Sequence, residues 1–541
     1  MDIFLFWFYQ YLTMKYKSLL VIFLMLVFSC SSDSEEPNNP EPPTQSEPDT
    51  TAPTITIGGL DNNVEILTTL TITITDESNS VNTVILVNDN EVFSTTDKTI
   101  SYELDPFDFP SGETTFTIQS TDDSNNQGEE SQTFELKKLL FQADDIAGAV
   151  LGNFQNGTEE FFISLNNLSG ELIAFRKINN SQDGKFYAPE SFERQNFVAT
   201  TYIIKDTFPF IVSYANLPAG TTVLTLEEAN SIFNLERAKD MSFNIEISEI
   251  PAGGYFVKSS GENYSGGRGS NSNNGSTSLT VRLASTANID NIFLSYMEST
   301  SLSTSNIDNY RYSMIPLNDF NDKVISYNDL KAVTETTEIN IPTELESFVY
   351  DLRGFTDEVA YETNNFNSIY EVGTSNLTGE EISLEIPVIN NFNVFQQRIQ
   401  GKIDETISIG LNQKGLSDFV IPDWNIEKSG NDINILGDID FITFENFVTS
   451  SKDALGGFWT YNSNEVNSTK IPYDSFEIPS EIAILLENLG IPVDSFNNTN
   501  PTLSIFLDDY ELESNYEDRI FYNFFRNERG SRVYMEFQLN P

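Results

Sequence analysis

From Thr54 to Lys138, apolar and polar residues alternate through "TITIGG", "TLTITITD", "VNTVILVNDNEVF", "TISYEL", "TTFTIQSTDDSNNQGEE" and "SQTFELKK", each bounded by Asn, Asp, Gly or Ser. A period of two closed by turn residues predicts short half-buried strands. Six or seven such strands in about 85 residues is the count of a small two-sheet sandwich. The pattern continues over 139–257 in "EFFISLN", "GELIAFRKI", "NFVATTYIIK", "FPFIVSYANL" and "TVLTL", with a hairpin signal at Asp183-Gly184, and predicts a second sandwich. "NLPAGTTVLTL" and "EIPAGGYFVKS" share a Pro-Ala-Gly core, a faint sign of repeated units.

Residues 258–277 are Gly-, Ser- and Asn-rich with almost no apolar content, which predicts a loop or linker. Strands resume over 278–404 and again over 405–541. One helix stands out in "SEIAILLENLG": Ser480 is its expected N-cap, Ile482, Leu485, Leu486 and Leu489 form its apolar stripe, and Gly490 is its stop. Phe521, Tyr522, Phe524 and Phe525 read as core. The expected fold class is all-β: serial β-sandwich domains with a short C-terminal helix.

Composition narrows the chemistry. The 541 residues include 81 acidic and 29 basic ones, a formal net charge of -52, no histidine and one cysteine. Such a field repels phosphate backbones, so nucleic acid is excluded as a partner class, while divalent cations and neutral ligands stay compatible. Without histidine, Ser-His-Asp and Cys-His catalysis and histidine-ligated zinc fall away. A single thiol leaves no internal disulfide and no thiolate cluster. Hydrolytic chemistry would have to use carboxylates, Ser-Lys pairs or oxygen-ligated metals.

Export and lipidation would explain the lone thiol, with an ordinary cleaved signal or a buried free cysteine as the alternatives. From Met14, "MKYKSLLVIFLMLVFSC" has a basic start and an apolar stretch over 19–28 that is too short to span a bilayer. Met14 is the expected start, since the apolar patch before it makes a poor signal region. Val27, Phe28, Ser29 and Cys30 resemble the lipobox of bacterial lipoproteins, which implies cleavage after residue 29 and lipid on Cys30. The following "SSDSEE" resembles the surface-export signal of Bacteroidetes lipoproteins, including flavobacterial ones. Residues 30–53 carry a Pro- and acid-rich stretch that predicts an extended stalk. Within it, Asp49-Thr50-Thr51 resembles the short O-glycosylation acceptor of that group. "TAPTITI" and "STDDSNNQGEE" resemble the first strand and late hairpin of bacterial Ig-like domains, which implies an Ig-like fold for 54–138. Together these resemblances imply a lipid-anchored outer-membrane protein exposed on the cell surface.

Three sets of side chains are candidates for binding. Asp122, Asp123 and Asn125 in the late hairpin, and Asp432, Asp438 and Asp440 in "NDINILGDIDF", offer hard oxygen ligands for calcium. The alternatives are turn geometry for the first group and the polar outside of a strand for the second. Carboxylates in the second group also suit glycosidic acid-base work, for which a separation of roughly 5–9 Å sets the stereochemistry. Trp424, Trp459 and Tyr461 offer a flat aromatic platform for a sugar, with core packing as the alternative. No cofactor is required and calcium is a candidate. The leading function is noncatalytic adhesion or binding of a polysaccharide or a cell-envelope protein. A passive envelope scaffold and a carboxylate-dependent surface hydrolase are the alternatives.

Overall fold

The computed structural model describes residues 49–143, 160–178, 184–204, 208–223, 240–261, 264–272, 275–284, 291–298, 309–316, 323–362, 365–375, 377, 379, 381–430, 432–452, 456–464, 468–470, 473, 476–498, 501–509 and 531–539. The export signal, Cys30, the stalk up to residue 48, Asp183 and the aromatics Phe521, Tyr522, Phe524 and Phe525 lie outside the described residues. The chain is all-β with multiple sandwich-like sheets, as its alternation predicts.

The first sandwich joins a three-stranded sheet (Thr54–Gly58, Thr68–Thr75, Thr99–Leu104) to a five-stranded one (Asn63–Val64, Gln127–Leu136, Gly112–Asp122, Val81–Val87, Asn90–Thr95). Along Thr68–Thr75 every second side chain is buried, placing Leu70, Ile72 and Ile74 against Ile85, Phe116, Ile118 and Leu136. The Val81–Val87 hairpin turns at Asn88 and Asp89, with φ of 50° and 65°. Positive φ at both turn positions matches the right-handed strand twist, and Asn and Asp tolerate it.

Beyond residue 143, strands far apart in sequence pair with one another. A twelve-stranded sheet takes Leu172–Lys177, Glu160–Asn167, Phe197–Ile204 and Phe210–Leu217, then Gly457–Ser463, Phe441–Val448, Thr502–Asp509, Ser531–Gln538, Ile407–Lys414, Val394–Lys402, Ser347–Phe355 and Asn367–Ser375. Segments 139–257, 278–404 and 405–541, expected as separate units, therefore contribute to one ladder. Its seam is a parallel pairing of Phe210–Leu217 with Gly457–Ser463. On one face of this seam Ile211 lies opposite Trp459, and both are fully buried.

Two expectations need correction. Residues 258–277 are not a structureless linker: Gly253–Gly261 forms a hairpin with Tyr264–Ser272, and Gly275–Ala284 pairs with Asp240–Ile250. Tyr264–Ser272 is the edge of its sheet, so main-chain bonds to one neighbour hold it without an apolar face. The C-terminal helix, Ser480–Asn488, is preceded by Pro479 as N-cap, with no side-chain cap bond. Pro479 is held at φ -54°, which leaves Ser480 as the first helical residue. Gly490 does stop the helix, at φ +75°. The helix buries Ile482 and Leu486 among Trp459, Ile442 and Phe444, and so covers a sheet face.

Candidate metal centre

At the pole of the first sandwich nearest the stalk, three carboxylates from distant parts of the chain converge. Asp122 ends its strand, Asp76 follows Thr68–Thr75, and Asp49 belongs to the end of the stalk segment. One oxygen from each lies within 4.8 Å of the others. Asp122 is only 6% exposed. Its Oδ1 accepts the backbone N–H groups of Ser124 and Asn126, both at 2.8 Å, and its Oδ2 accepts Asn126 Nδ2 at 2.8 Å. Asn126 Nδ2 also donates to the Asp49 carbonyl at 3.2 Å, tying the stalk end to the hairpin. Asp49 accepts Thr51 N–H at 2.9 Å and Ser78 Oγ at 3.2 Å. Asp76 Oδ1 accepts Ser78 N–H at 2.8 Å, while its Oδ2 is buried without a hydrogen-bond partner.

Acidic groups outnumber the one cation at this corner. Lys98 reaches this loop, but its ammonium donates to the backbone carbonyls of Asp76 and Ser78. The Glu77 carboxyl is raised from its ordinary range, first by its hydrogen bond to Asp49 and then by the Asp49 charge. Asp49 is lowered chiefly by the Thr51 N–H. Hard oxygens in this number, with a buried and unsatisfied one among them, fit a divalent cation of the calcium type. Asp122, Asp76 and Asp49 would hold it.

Of the acids picked from sequence, only Asp122 joins this group. Asp123 instead accepts Ser80 Oγ at 2.6 Å, and Asn125 stands at φ 65°, serving the turn. Asp432 is an exposed strand residue placed opposite Ser429 and Lys470. Asp438 is exposed, and Asp440 donates its backbone N–H to the Phe506 carbonyl. Among the described residues these three form no group close enough to share a metal. Asp49 and Asp76 carried no distinguishing signal beyond flanking the first strand and ending "TITITD".

The aromatic platform also needs correction. Trp459 is fully buried. It packs edge-on against Tyr473, Phe476 and Phe496 at centroid distances of 4.9, 5.7 and 5.4 Å, and its Nε1 donates to Ser213 Oγ at 3.0 Å. The glycines before it make room for neighbours: a Cβ on Gly456 would fall 2.8 Å from Phe447 Cζ, and one on Gly457 would fall 3.2 Å from Pro209 Cγ. Trp424 is half-buried over Gly437, with Nε1 donating to the Asp438 carbonyl at 3.0 Å. Tyr461 is half-buried and close to Phe444 and Phe476. Both of these side chains pack against the Trp459 cluster.

Two half-buried carboxyls, Glu445 and Glu536, were not picked from sequence. Burial pushes both up, and the charge of Glu536 adds to the rise at Glu445. A carboxyl raised in the folded state holds its proton longer there than in the unfolded chain. Its contribution is favourable at acid pH and is lost as pH rises through the folded value. Glu445→Gln should therefore raise the melting midpoint at pH 7, with the difference vanishing at acid pH where the carboxyl is protonated in both states. A variant less stable than wild type at pH 7 would contradict this.

No family model matches the chain, and no curated protein sequence matches it. Similar solved structures include the fibronectin(III)-like modules of Clostridium thermocellum CbhA, at 10% identity over 30% of this chain and 94% of that one, with a TM-score of 0.14. A Ca2+-stabilized adhesin with which an Antarctic bacterium binds ice matches at 10% identity over 69% of this chain and 100% of that one, TM-score 0.15. Bacteroides ovatus SGBP-B, in complex with a mixed-linkage heptasaccharide, matches at 12% identity over 66% of this chain and 93% of that one, TM-score 0.13.

Proposed function

We propose that this chain is a noncatalytic cell-envelope protein, held to the outer membrane by lipid on Cys30 and displaying its β body for adhesion or ligand binding. The observation that carries the reading is the meeting of Asp49, at the stalk end, with Asp76 and Asp122 of the first sandwich. A calcium ion there would replace mutual repulsion with shared coordination and fix the direction in which the body leaves the stalk. Display at a distance from a membrane benefits from such a stiff joint.

Calcium titration of the full chain tests this at fixed ionic strength. Binding to the folded state alone contributes about 2.7 kcal/mol at a hundredfold excess over Kd. The first unfolding transition should rise accordingly in wild type, and Asp76→Asn should abolish the rise. A midpoint indifferent to calcium and chelator overturns the ion. Protease shaving of intact cells tests the display: wild type should be degraded without lysis, and Cys30→Ala should leave the cell surface.

Glu445 and Glu536 favour a second reading, carboxylate hydrolysis. The register puts them on one sheet face, separated by Thr502–Asp509. Glu445 is in register with Thr502 and Glu536 with Ser504, so two strand spacings and a two-residue offset put their backbones roughly 12 Å apart, and side chains leaning toward each other would approach the separation used by inverting glycosidases. Release of reducing ends from a polysaccharide, lost in Glu445→Gln, would establish it.

A further inference from the structure

The motif "GGFWTY" places Trp459 in the core, and strand alternation then turns its neighbour Phe458 to the opposite face. On that face Phe458 lies directly opposite Phe447 on one side and Phe210 on the other, forming a row across three adjacent strands. The Phe210 and Phe458 rings are 5.5 Å apart and within 13° of parallel. Phe208 extends the row, lying 6.4 Å from Phe447 at 26°. Phe447 is 50% exposed, and the other three are half-buried. The absent side chain of Gly456 lets the Phe447 ring settle beside the row.

A polar row runs alongside. Glu445, two residues from Phe447, stands opposite Thr460 on one neighbour and Thr502 on the other, and all three are half-buried. Aromatic faces flanked by a carboxylate and two hydroxyls match the C–H faces and O–H groups of a sugar. Charge selects the kind of sugar. Neither row contains Lys or Arg, and the chain carries a net charge of -52. Anionic lipid, uronate polymers and a second copy of this chain are all repelled.

We infer that the face built by Phe208, Phe210, Phe447 and Phe458, with Glu445, Thr460 and Thr502, binds a neutral polysaccharide. The inference rests on the binding reading above and names its ligand class and location. It is independent of the calcium joint, which lies on the first sandwich.

The test is affinity electrophoresis of the full chain in detergent micelles through gels containing neutral glucans, mannan, xylan or galactan. Polygalacturonate gels and flotation with anionic vesicles run in parallel. At least one neutral polymer should retard wild type. Phe447→Ala should weaken that interaction about tenfold, and Phe447→Trp should retain it. Because Phe447 is exposed, an unchanged melting midpoint will confirm that the variants fold. If wild type and Phe447→Ala are retarded equally, the site is overturned while the binding reading stands. If wild type engages only the acidic polymer or the vesicles, the ligand class is overturned. If nothing retards it, both readings fall and a passive scaffold takes their place.

Discussion

Trp459→Ala is expected to cost about 3–5 kcal/mol, the range for emptying a large aromatic site in a packed core. Trp459 is fully buried against Tyr473, Phe476 and Phe496. The Tyr473 hydroxyl keeps its bond to the backbone carbonyl of residue 459, but its ring loses the edge contact with the indole at 4.9 Å and is loosened as well. The site lies on the strand that joins Phe210–Leu217 to Phe441–Val448, so its loss weakens the seam between the two halves of the large sheet. Trp459→Phe should cost less, about 1–2 kcal/mol, because Ser213 keeps Thr200 Oγ1 at 2.8 Å when the indole N–H is removed. Urea unfolding will measure both variants. A loss below about 1 kcal/mol for the alanine variant would show that the cluster collapses without consequence.

Gly128→Ala is the second large effect expected, and it acts on the metal centre from a distance. A Cβ at Gly128 would fall 1.9 Å from the Pro53 carbonyl oxygen, which is backbone and cannot rotate away. The segment from Asp49 to Pro53 must then lift, carrying Asp49 from Asp76 and Asp122. Overpacking of this kind costs about 1–3 kcal/mol. Apparent calcium affinity should fall at least about tenfold, since a displaced ligand forfeits about 1.4 kcal/mol or more of binding. Gly58→Ala is the control, for its Cβ would meet Thr71 O at an ordinary 3.6 Å. A Gly128→Ala protein that titrates with calcium like wild type would sink the claim that the stalk end supplies a ligand.

Alternation made the strands legible because burial on one face enforces it locally, as in Thr68–Thr75. The first sandwich was legible as a unit for a related reason: its strands pair within one stretch of about 85 residues. The large sheet was not, because no local pattern reveals that Phe210 will lie opposite Phe458. The edge strand Tyr264–Ser272 was missed because main-chain pairing leaves no apolar trace. At the metal centre Asp122 was visible from its turn, whereas Asp49 and Asp76 become ligand candidates only once the chain has folded. Trp459 shows the finest limit. The motif lies where a sheet has one face covered by a helix, and a single step of alternation decides which aromatic goes inside.

The parallel seam of the large sheet also sets a schedule for synthesis. Ser213 and Trp459 hydrogen-bond across a separation of 246 residues. A chain delivered from its N-terminus therefore completes Phe197–Ile204 and Phe210–Leu217 long before the strand that must lie beside them exists. In that interval Phe210–Leu217 presents an apolar open edge, the kind that recruits strands from neighbouring chains. Non-local pairing of this span is slow even in a finished chain. Yield in a producing cell should consequently depend on a holding chaperone, and a chain interrupted before Phe441 should aggregate in place of folding to a smaller domain.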